Sequence, residues 1–132
     1  MDPIRLFSII SWILLPTVMF GGYSLLHLQG RKEVLTPFQE TYFRAGHAHA
    51  GTLLLLSLLY YQYLGQHASM FLFQWIGGIV VLVGILAISG GFFLYMAQGK
   101  PGHGSAGILV TNIGAALLAL SVLFLGYVII VG

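Results

Sequence analysis

The chain is 132 residues long, 58% hydrophobic and only 6% charged, whereas a soluble domain carries about 25% charged residues. So few charges cannot cover a water-facing surface, and the formal net charge of +2 is too small to suggest a nucleic-acid partner. There is no cysteine, which excludes disulfides, thiolate metal sites and thiol catalysis.

Length suits a single domain, 1–132, most of which four spans of about 20 to 25 residues would use. The predicted architecture is all-α: an integral-membrane four-helix bundle, up-down-up-down, with both termini on the same side. The first helix is expected over about residues 4–29. Its apolar stretch is too long for a cleaved signal peptide and lacks small residues at a cleavage site, so it is taken as a mature helix. Pro16 removes one backbone hydrogen bond and should bend it, and Gly21 and Gly22 add slack.

A polar loop, 30–36, carries Arg31, Lys32 and Glu33 and ends in a helix start. Thr36 can serve as N-cap, Pro37 suits the first helical position, and Gln39 completes a capping box. The second helix is predicted over about 37–64, roughly 42 Å long. That exceeds a hydrocarbon core of about 30 Å, so its first two turns should project from the bilayer. A short uncharged connection then leads to a third helix over about 70–97. The loop at 98–102 has strong turn chemistry, and a fourth helix is expected over about 103–131.

Gly77, Gly84 and Gly91 recur every seven residues, as do Gly107, Gly114 and Ser121. Such spacing keeps one seam toward one partner, and small residues let backbones approach closely in lipid; the third and fourth helices should pack tightly. Tyr60, Tyr61, Tyr63, Phe71, Phe73 and Trp75 read as an interfacial aromatic belt. Arg31, Lys32, Arg44 and Lys100 outnumber Arg5 and the terminal amine. Positive-inside reasoning therefore places loops 30–36 and 98–102 in the cytoplasm and the termini outside. The expected location is a bacterial inner membrane.

Polar residues gather at one end: His27, Glu33, Glu40, Arg44, His47, His49 and His103, with only His67 at the other. Glu40, Arg44 and His47, spaced by four and three, share a helix face. His47 and His49 lie about 200° apart around the axis, so one helix cannot close both on a single ion. Small residues surround them (Ala45, Gly46, Ala48, Ala50, Gly51), leaving room for a helix or a flat cofactor. Ionisable residues inside a membrane are candidates for function, and imidazole suits haem iron, copper or zinc. The candidate set is therefore His47, His49 and His27 for a cofactor, with His103 and Glu40 as further metal ligands. Packing alone could instead explain these histidines, through backbone carbonyls or lipid headgroups. Asn112 should hydrogen-bond between helices. No Gly-rich phosphate loop and no HExxH pattern occurs, and Asp2 is the only aspartate available to a serine triad.

The stretch Phe43-Arg44-Ala45-Gly46-His47-Ala48-His49-Ala50-Gly51 resembles a signature of small bacterial four-span membrane proteins. It is also similar to the His-x-His helix of haem-copper oxidase catalytic subunits, in which two histidines face two different haems. That resemblance covers nine residues and implies His47 and His49 as ligands; a second His-rich helix and a His-His copper pair are missing. The expected function is a small membrane protein with a haem or transition-metal site near the cytoplasmic face, doing redox or electron-transfer work. The alternatives are an assembly subunit of a larger membrane complex, homo-oligomeric or mixed, and a small oligomeric transporter.

Overall fold

The computed structural model describes residues 1–29 and 34–131. The described residues form four helices: α1 Pro3–Gln29, α2 Pro37–His67, α3 Phe71–Gln98 and α4 Ala106–Val131. Arg31, Lys32 and Glu33, on which the expected orientation leans, lie outside the described residues.

Local chemistry explains the helix ends. The carboxylate of Asp2 accepts a hydrogen bond from Ile4 N (3.0 Å) ahead of α1. At α2 the expected capping box is present: Thr36 Oγ1 accepts from Gln39 N (3.2 Å) and Gln39 Oε1 from Thr36 N (3.0 Å). Helix α2 runs three residues further than expected, so His67 lies in its last turn, where Tyr63 stacks on it. Helix α4 starts three residues later than expected. Lys100 to Gly102 turn first, with Gly102 at φ 77°, a conformation glycine adopts without strain. His103 therefore sits in the turn and does not open α4; its Nδ1 donates to Pro101 O (3.1 Å).

Neighbouring helices alternate in direction. Ile4 of α1 meets Gly65 of α2, while Gly22 meets His47; Leu64 of α2 meets Gly77 of α3, while Gly46 meets Phe92. The two seven-residue glycine rows pack as expected, Gly84 against Leu118 and Gly91 against Gly107 and Thr111. Helices α2 and α3 occupy the middle. Helices α1 and α4 flank them without touching each other among the described residues. Two grooves result, one between α1 and α2 and one between α2 and α4.

The core lies in the half nearer the termini. Phe7 seats its ring on Gly78, stacks with Tyr61 (5.8 Å) and meets Trp75 edge-on (5.6 Å). Tyr60 and Tyr61 are 7% and 0% exposed. They are core residues, a correction to the aromatic belt: Tyr61 packs on Phe7 of α1 and Tyr60 against Gly77 of α3, while Tyr63 and Phe71 stay outside. Beside them Ser57 donates to Leu54 O (2.7 Å), so the hydroxyl proton in its 2.9 Å contact with Ser11 comes from Ser11.

Three of these helices, α1, α3 and α4, are long and apolar enough to cross a membrane. Helix α2 is the longest but is not among them. His47, His49, Gln62 and four tyrosines dilute its apolar content, and it packs against α1, α3 and α4. Protein neighbours on three sides can harbour polar groups that a lipid-facing helix could not.

Candidate functional site

Helix α2 presents its two central histidines to opposite sides. His47 faces α1, its imidazole lying on the bare backbone of Gly21 and Gly22. A Cβ at Gly22 would come within 2.7 Å of His47 Nε2, and one at Gly21 within 3.2 Å of Nδ1. Phe43, one turn earlier, stacks on the other side of the ring (6.2 Å). His47 is partly buried, and neither ring nitrogen has a hydrogen-bond partner among the described residues. It heads an apolar groove of about 540 Å³ between α1 and α2, with Trp12, Pro16, Met19, Gly51 and Leu55 in its walls.

His49 faces α3 and stands 4.8 Å from the Phe92 ring. Its Nδ1 lies 2.7 Å from Ala45 O. A carbonyl can only accept, so Nδ1 carries the proton, and in the neutral ring Nε2 is left with a free lone pair. Histidines that bind metals are usually oriented in this way, the second nitrogen held by a carbonyl. His49 is exposed, and its spacing of four and seven residues from Leu53 and Leu56 puts it on their face of α2. Phe92 also lines a pocket of about 230 Å³ with Tyr42, Tyr95, Thr111 and Asn112. Further along the same helices lies an apolar pocket of about 550 Å³, walled by Leu53, Leu56 and Tyr60 of α2 and by Ala119 and Val122 of α4.

The remaining expected ligands do not join either histidine. Glu40 and Arg44 form the expected ion pair one turn apart at the start of α2. His27 is exposed on α1 and stacks on Tyr23 (6.5 Å). His103 is exposed in the turn before α4. Among the described residues no three His, Cys, Asp or Glu side chains come together as a metal cluster. Among the described residues, His27, His47, His49, His103 and Glu40 do not gather at one point, and His47 and His49 present their rings to opposite faces of α2.

Asn112 departs from expectation as well. It is exposed on α4 and makes no hydrogen bond to the described residues. The sequence reading also passed over Met19, Phe92 and the Gly21–Gly22 notch. The adjacent glycines were the one available signal, since two in a row on an apolar helix mark a close approach.

Comparison of the chain with family models, with curated proteins and with solved structures gives no match. Fold and site together define an all-α protein with three helices fit to cross a membrane. Its least apolar helix carries His47 into the groove beside α1 and His49 against Phe92 of α3.

Proposed function

We propose that this is a four-span membrane protein that holds a haem or a transition-metal ion through His47, in the groove between α1 and α2, for redox or electron-transfer work. The carrying observation is a partly buried imidazole with neither ring nitrogen partnered, at the head of an apolar groove. An unpaired polar group in such surroundings is costly, and a ligand that takes the lone pair removes that cost. The groove volume falls within the roughly 300–1,000 Å³ of ordinary ligand pockets. Notch and groove leave a smooth wall against which a flat ring can lie, and the Met19 thioether lines the same groove as a second donor of the type found in haem proteins. Neutral imidazole and thioether together suit haem iron or copper.

In this reading α2 also spans the bilayer, shielded by its neighbours. Its histidines lie within about 10 Å of the membrane boundary, at the end bearing the loops 30–36 and 98–102, which face the cytoplasm of a bacterial inner membrane. The protein's part is to exclude water around the bound group and to fix its ligands. Haem or metal supplies the electron chemistry.

The test is an absorption spectrum with elemental analysis on protein gently purified in detergent, before and after addition of haem, copper or zinc. A Soret band or stoichiometric metal that His47→Ala abolishes supports the reading. Folded wild type that stays colourless and metal-free after such additions refutes it.

A further inference from the structure

The second groove has a different character. Along α2, His49, Leu53, Leu56 and Tyr60 are spaced by four, three and four, so they form one continuous face. Along α4, Asn112, Ala119 and Val122 face them across α3. The end near His49 is polar and aromatic, with the Phe92 ring 4.8 Å from the imidazole and the Asn112 amide in the same pocket wall as Phe92. The other end is apolar, about 550 Å³. No Lys, Arg, Asp or Glu lines either pocket.

We propose that the α2–α4 groove binds a quinol with an isoprenoid tail. The headgroup lies on Phe92 between His49 and Asn112, and the tail runs along Leu53, Leu56 and Ala119. Each part of that chemistry answers a feature of the groove. The bare Nε2 of His49 accepts a hydrogen bond, so the headgroup must offer a hydroxyl. The Asn112 amide both donates and accepts, so it serves a carbonyl or a hydroxyl. A flat ring is matched by the aromatic face of Phe92, with Tyr42 and Tyr95 beside it. The absence of cationic side chains leaves a phosphate headgroup uncompensated, which disfavours a phospholipid. A long apolar tail fits the apolar pocket. The ligand would also partner Asn112, whose amide otherwise stands unpaired on a helix facing lipid. The site lies on the opposite side of α2 from the one proposed for haem or metal and stands or falls separately.

The experiment extracts and quantifies quinol from detergent-purified wild type, His49→Ala, His49→Gln, Asn112→Leu, Ala119→Phe and His47→Ala, with metal content read on the same samples. Delipidated protein is also titrated anaerobically with a short-tailed ubiquinol kept reduced, followed by quenching of its intrinsic fluorescence. Wild type should retain stoichiometric quinol and saturate with the added compound. His49→Ala and Asn112→Leu should each weaken retention about tenfold, the factor for one hydrogen bond lost in apolar surroundings. His49→Gln, which keeps an acceptor, should recover part of the loss, and His47→Ala should bind normally. Should Ala119→Phe fail to fold, the contrast between His49→Gln and His49→Ala still decides. Four results would overturn the proposal: no saturable binding by wild type, retention indifferent to these substitutions, a phospholipid in the quinol's place, or loss of metal in His49→Ala.

Discussion

Replacing Gly107 by alanine tests whether the α3–α4 seam is held by backbone contact. A Cβ there would lie 2.7 Å from both Gly91 O and Tyr95 Cα, and would meet Tyr95 N as well. All of these are main-chain atoms, so no rotamer change can relieve the clash. Ordinary contact begins near 3.4 Å, so α4 must withdraw by at least 0.7 Å (3.4 − 2.7). Withdrawal loosens the whole seam, because Gly114 meets Ile88 N and Gly84 O in the same way. Overpacking of this kind costs about 1–3 kcal/mol, and in lipid, where packing itself drives association, little compensates. Gly90→Ala is the control: it adds the same methyl to α3 with nothing within 4 Å. Thermal unfolding in detergent, followed by circular dichroism, should show Gly107→Ala clearly less stable than wild type and Gly90→Ala equal or slightly better. Equal stabilities for the two variants would refute the reasoning.

Three other substitutions probe separate parts of the account. Thr36→Ala removes the side-chain half of the capping box and should cost about 1 kcal/mol, seen as faster amide exchange confined to the first turn of α2. A double-mutant cycle on Ser11 and Ser57 should give a coupling of about 0.6 kcal/mol, typical of interhelical hydrogen bonds in membranes; zero coupling would mean that the pair is incidental to packing. Because the natural chain has no cysteine, single cysteines report topology directly. Gly104→Cys should react with an impermeant thiol reagent only from the cytoplasmic side and Ser69→Cys only from the other. Labelling of both from one side would show that α3 does not cross.

Much of the fold was legible because long apolar helices announce themselves through their hydropathy, and their ends through caps and turns. Thr36 to Gln39 gave the start of α2 to the residue. The glycine rows at 77, 84 and 91 and at 107 and 114 gave the α3–α4 pairing. Less legible was which side of a helix packs against protein and which stays exposed. Both sides of these helices are largely apolar, so hydropathy does not separate the buried Tyr61 from the exposed Tyr63. The start of α4 was misplaced because His103-Gly104-Ser105 has no feature that forbids helix, while the chain continues to turn after Gly102. At the site, helical geometry alone gave the opposed directions of His47 and His49. It could not show that His27 and His103 stay apart from them, since that depends on how α1 and α4 are set around α2. Nor could it show the Gly21–Gly22 notch as the seat of His47, which exists only once α1 and α2 are packed.

Metal and haem stoichiometry of His47→Ala and His49→Ala, purified side by side from the same membranes, tests the central claim that the two histidines serve separate grooves. The account predicts that His47→Ala loses the bound haem or metal while His49→Ala keeps it with an unchanged spectrum. Equal loss in both variants would contradict it, because it would place both imidazoles on one centre, which the opposed faces of a single helix do not allow.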